Sequence, residues 1–245
     1  VYTKAATAKP ISLEKATPEQ LVEALGSDNL LWRRHAQRLL VERGNMDVVP
    51  QLVKMISDAK PDELGIAVGA VHAIGTLAGL GAIEPTNSDV WAAMKNSLAH
   101  QSPAVRRMAA VALPRTAAGS ELLLASSVTT DADPQVRLAA LLAIADMPSS
   151  TAAARAMAQS LADKTLWDDR WLSEAATAAA ATNAVEFIEL SSAEAPSPRQ
   201  QTALAIIAGH IARSELDPAA VEKILLSLEK KSPAVATQLL RSLST

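Results

Sequence analysis

The chain has 245 residues, 50 of them alanine and 31 leucine, against only nine glycines, four tryptophans, one tyrosine and one phenylalanine. That economy disfavours an all-β or large α/β architecture and points to helices. A formal net charge of −3, from 23 basic and 26 acidic residues, excludes bulk polyanion binding, and the absence of cysteine excludes disulfides, thiolate metal sites and a cysteine nucleophile within these residues.

In chain order, residues 1–12 show no helical period and are expected to form a tail or linker, with residues 13–245 making up one repeat array. The start at Val1 rather than Met is expected to reflect processing or excision from a longer protein. Thr17-Pro18-Glu19-Gln20 then reads as a capped helix start, with Gln20 at the capping-box position. From there, proline and small polar clusters punctuate runs of helical apolar spacing. They predict seven helix pairs: 17–26 with 29–43, 46–58 with 62–79, 87–99 with 103–115, 119–128 with 134–146, 151–162 with 167–182, 184–191 with 197–213, and 217–229 with 233–243. No stretch approaches the length of an apolar membrane span, so no transmembrane segment is expected.

The pairs share a register. Pro103-Ala104-Val105-Arg106 aligns with Pro134-Gln135-Val136-Arg137, and Ala109 with Ala140, Val111 with Leu142 and Leu113 with Ile144 follow in step. Leu31-Trp32-Arg33, Ala36 and Leu40 fall in the same frame, and Ser232-Pro233-Ala234-Val235 repeats the opening without the arginine. Proline suits a first helical turn, where its missing N–H has no intrahelical partner, and Ser102 or Asp133 before it is placed to cap. A lone hairpin of amphipathic helices cannot cover its apolar face, so hairpins stack. Alanines such as Ala36, Ala109 and Ala140 let neighbouring axes approach closely. The expected fold is therefore all-α, a superhelical α-solenoid of about seven hairpins.

The Pro-x-Val-Arg register with an acidic residue in the preceding turn resembles the HEAT repeat, most closely over 28–43, 101–115 and 131–146. In that family a turn aspartate and a second-helix arginine form a ladder linking adjacent repeats. The resemblance implies that role for Arg33, Arg106, Asp131 and Arg137. Asp131 and Arg137 have the family spacing, Asp28 and Arg33 are one residue too close, and His100 stands where the aspartate before Arg106 would be. A narrower resemblance lies in Leu31-Trp32-Arg33-Arg34-His35-Ala36-Gln37-Arg38-Leu39-Leu40-Val41-Glu42-Arg43-Gly44 and in Val71-His72-Ala73-Ile74-Gly75-Thr76-Leu77-Ala78-Gly79-Leu80-Gly81. Both strings resemble the HEAT region of bacterial membrane-bound dehydrogenase-like, haem-binding multidomain proteins, although Gly75 replaces a tryptophan usual there. That resemblance implies a connecting helical segment in a periplasmic or extracytoplasmic protein, with the redox chemistry in domains outside these residues.

Candidate chemistry is sparse. His35, His72, His100 and His210 lack a second histidine at i+3 or i+4, so no helical metal pair exists and no cofactor is expected. Gly75, Gly79 and Gly81 lack the strand and Lys-Ser/Thr pair of a phosphate loop, and helix termination with close packing is the better account. Asp168 and Asp169 point about 100° apart on a helix, which suits helix-start acids rather than a catalytic pair. Trp167 and Trp171, one helical turn apart, either anchor a partner or fill the core beside an alanine-rich run, and the core-filling role is favoured. The most suggestive surface is basic: Arg34 and Arg38 share a face, Arg107 takes the position equivalent to Arg34, and together they offer a grip for a carboxylate, a phosphate or an acidic partner surface. A solvated face with Arg38 paired to Glu42 is the plainer account and is favoured.

These features point to a non-catalytic scaffold that binds a protein or a neighbouring domain of the same polypeptide. The alternative is a DNA-binding HEAT-like protein of the DNA glycosylase type, which needs a basic groove and stacking aromatics. The negative net charge makes nucleic acid the poorer partner.

Overall fold

The computed structural model describes residues 12–190, 197–214 and 218–243, so of the expected tail only Ser12 is described. Among the described residues there are fourteen α-helices and no strand. They are α1 (Pro18–Ala24), α2 (Leu30–Arg43), α3 (Val49–Ser57), α4 (Val68–Gly79), α5 (Ser88–Ser97), α6 (Pro103–Ala112), α7 (Ala117–Leu124), α8 (Pro134–Ala145), α9 (Thr151–Ala162), α10 (Arg170–Thr182), α11 (Ala184–Leu190), α12 (Pro198–Ala212), α13 (Pro218–Glu229) and α14 (Pro233–Leu243). Their order reproduces the seven expected pairs.

The ends obey local chemistry. Thr17 and Gln20 close a capping box on α1, and Ser197 and Gln200 do the same on α12. Asp133 accepts from the Gln135 and Val136 N–H groups at the start of α8, whereas Ser102 makes no side-chain cap on α6. Gly44 stops α2 in the left-handed conformation, with a φ of 65°.

Three starts differ from the sequence reading by three residues or more, and the first is α3, which begins at Val49 rather than 46, after a 3-10 turn over Met46–Val48. α4 begins at Val68 rather than near 62, because the Asp62 carboxylate accepts from the Leu64 and Ile66 N–H groups at 2.9 and 2.8 Å and holds a loop. An aspartate that satisfies its own downstream amides competes with the helix for them. α10 begins at Arg170, after a 3-10 turn over Lys164–Asp168, because Asp169 is extended and its carboxylate caps the Trp171 and Leu172 N–H groups. Trp167 and Trp171 are thus not one turn apart on a single helix.

The chain divides into two compact units, Val1–Ala93 and Met94–Thr245. In the first, α1 packs on α2 and α3 on α4, and the pairs meet through α2 against α4 and α1 against α3. In the second, second helices pack in series, α6 on α8, α8 on α10, α10 on α12 and α12 on α14. A parallel layer of first helices runs α7, α9, α11, α13. Each unit is therefore built of helical hairpins in two layers. Ala36 in the first unit and Ala109 and Ala140 in the second are wholly buried at these contacts, as small residues must be where backbones approach.

Candidate functional site

In the first unit α2 and α4 flank an open groove of about 640 Å³. Asn29 caps α2 through the Leu31 N–H, and the helix period then brings Arg34, Arg38 and Glu42 onto one exposed line at i, i+4 and i+8. On the other side α4 contributes Gly75, which is buried, and Gly79, also at i and i+4. A methyl group on Gly79 would sit 2.6 Å from Val41 Cγ2, so α2 and α4 approach to a distance that only glycine permits. The glycine pair was legible in the sequence as close packing. That it forms one wall of a groove was not.

Within this line the arginines differ. Arg38 Nε lies 3.7 Å from Glu42 Oε1, with both side chains more than half exposed, whereas Arg34 has no ion pair among the described residues. An exposed pair of this kind contributes about 0–1 kcal/mol, so Arg38 remains available to a ligand. His72 stands behind the groove and is half-buried; its Nδ1 donates to Gln37 Oε1 at 2.7 Å. Burial, and then the charges of Arg33 and Arg34, hold its pKa below the ordinary histidine value. The structure thus brings Arg34 and Arg38 together. Arg107 is exposed on α6 and belongs to the second unit.

The expected ladder takes a different form. Arg33, Arg106 and Arg137 each donate to the carbonyl of the residue six positions earlier, Ser27, His100 and Asp131, at 2.5, 2.7 and 2.6 Å. This bond pins a second helix to its own turn. Arg137 makes no ion pair with the Asp131 carboxylate, which faces back to the preceding hairpin instead: Arg106 Nε and Nη2 bind Asp131 Oδ2 and Oδ1 at 2.6 and 2.8 Å. The rung therefore runs from one arginine to the aspartate of the next turn. Among the described residues Arg33 forms no ion pair, and its Nε is buried without a hydrogen-bond partner. Of the four, Arg106 and Asp131 join adjacent hairpins, and Arg33 and Arg137 hold a helix to its own turn.

The tryptophans correct a second expectation. Trp171 is 65% exposed, with the Arg170 guanidinium 5.4 Å from its ring centroid, and does not fill the core. Trp167 is half-buried and donates its indole N–H to the Leu161 carbonyl at 3.2 Å. A second groove of about 690 Å³ lies between α10 and α12, edged by Trp167, Arg199 and Ile206, of which the sequence singled out Trp167 alone. Of the remaining histidines, His100 Nδ1 accepts from the Ser102 N–H, His35 lies beside Trp32 with ring centroids 6.4 Å apart, and His210 is exposed. Among the described residues no three His, Asp or Glu side chains converge as a metal site, and no helix is long and apolar enough to cross a membrane.

No family model and no curated protein matches the chain. Among solved structures it is similar to a chain from the complex of CpcE and CpcF of phycocyanin lyase from Nostoc sp. PCC7120, at 19% identity and a TM-score of 0.48, over 98% of this chain and 99% of that one.

Proposed function

We propose that this helical-repeat chain is a non-catalytic interaction module that holds a protein partner, or a neighbouring domain, in the α2–α4 groove. The observation that supports it is the open groove of about 640 Å³, edged by the exposed Arg34 and Arg38. Exposed arginines one turn apart give a partner orientation and charge. The test compares partner capture from a native extract by the chain and by an Arg34→Glu, Arg38→Glu double variant. Capture is expected to be lost in the variant at physiological salt, and equal capture by both proteins overturns the reading of this groove.

A place between redox domains in a dehydrogenase-like protein, and an extracytoplasmic location, rest on the Leu31–Gly44 and Val71–Gly81 strings alone and form part of the same proposal. Fractionation of source cells with an antibody to the chain tests the location. A salt-sensitive mobility shift of duplex DNA would favour the nucleic-acid alternative; with a net charge of −3, none is expected at physiological ionic strength.

A further inference from the structure

Along the exposed edge of α2 the charges read plus, plus, minus, at Arg34, Arg38 and Glu42. Successive members are four residues apart, which on a helix is about 6 Å. An extended peptide places residues i, i+2 and i+4 on one side at intervals of about 6.6 Å, close to the same spacing. The groove is open, with a volume of about 640 Å³, and Leu31 and Val41 add apolar lining to it. Neither a polyanionic strand nor a continuous acidic run fits this line, because Glu42 repels a third negative charge.

We propose that the groove takes an extended protein segment bearing acid, acid and base at alternate positions, an Asp/Glu-x-Asp/Glu-x-Lys/Arg register, with the two carboxylates on Arg34 and Arg38 and the cation on Glu42. This rests on the interaction reading above and names its occupant. Occupation breaks the Arg38–Glu42 contact, whose two side chains are each more than half exposed, and replaces it with two intermolecular pairs. It also neutralises Arg34, one of the two cations acting on His72; Arg33 is the other.

The test titrates the full chain with two capped peptides, Ala-Glu-Ala-Glu-Ala-Lys-Ala and Ala-Glu-Ala-Glu-Ala-Glu-Ala, and with inorganic phosphate, followed by the NMR signals of His72 and the α2 amides. The lysine peptide is expected to bind about fivefold more tightly than the all-acid peptide, the worth of one exposed ion pair, and to raise the His72 pKa. Glu42→Lys should invert the preference, and Arg34→Glu with Arg38→Glu should abolish it. Because all three substitutions lie on exposed positions, unchanged far-ultraviolet circular dichroism certifies the fold. Equal binding of both peptides, no inversion by Glu42→Lys, or matching shifts from phosphate alone each overturn the proposal. If partner capture is lost in the double variant while the peptides show no preference, the groove still binds a partner and only the register is wrong.

Discussion

Arg106 and Asp131 form the most enclosed ion pair among the described residues, with side chains 16% and 7% exposed. Burial by itself pushes the Asp131 carboxyl up, but the Arg106 hydrogen bonds, the Asp133 N–H and the charges of Arg106 and Arg137 outweigh it and hold the pKa below the usual carboxylate value. The folded state thus takes up this proton less readily than the unfolded chain. Its contribution to stability is complete above the ordinary aspartate pKa and is lost as the pH falls through the lowered one. Denaturant unfolding from neutral pH downward should show that loss, and Asp131→Asn should flatten it. Arg106→Ala should cost about 3 kcal/mol at neutral pH, because it leaves a buried carboxylate without its cation. The sequence named both residues as ladder members, but it set Asp131 against Arg137, six residues away, when the carboxylate's partner lies 25 residues upstream. Spacing within one repeat says nothing of which neighbour a turn side chain faces.

At the scale of elements, the contact of α2 with α4 depends on the missing side chain at Gly79. Alanine there gains about 1 kcal/mol of intrinsic helix propensity. The overlap with Val41 costs about 1–3 kcal/mol, which is the larger effect. Gly79→Ala should therefore lower stability by about 1 kcal/mol in thermal or denaturant unfolding, whereas in a Val41→Ala background the same change should be neutral or stabilising. Most helices were legible from proline starts, caps and apolar period, since those signals act within a few residues. The starts of α4 and α10 were not. There Asp62 and Asp169 each bind local amides in a way that apolar spacing does not reveal. Asn183 shows the same limit from inside: wholly buried, it ties α10 to α9 by accepting from the Ser150 N–H and donating to the Ala179 carbonyl, both at 2.8 Å. Nothing in its sequence neighbourhood marks that role.

On the scale of the molecule, stacked hairpins touch only their neighbours, so stability is a sum of local terms rather than one cooperative whole. In the second unit this gives a measurable gradient. Arg106→Ala should speed hydrogen exchange in α6 and α8 and leave α14, separated from α8 by α10 and α12, unchanged. Faster exchange throughout the unit would show that the rung controls more than its own junction.

Composition and register alone determined that the chain is all-α, where its hairpins lie, and that small residues line their contacts, because helix starts, stops and faces are written in residues three or four apart. The basic face of Arg34 and Arg38 was equally visible for that reason. Tertiary structure decided the rest: the close approach of α4 to α2 at Gly79, the exposure of Trp171, and the choice of Asp131 by Arg106. Each depends on the packing of elements distant in sequence or on a break between them, and one-dimensional periodicity carries no record of either.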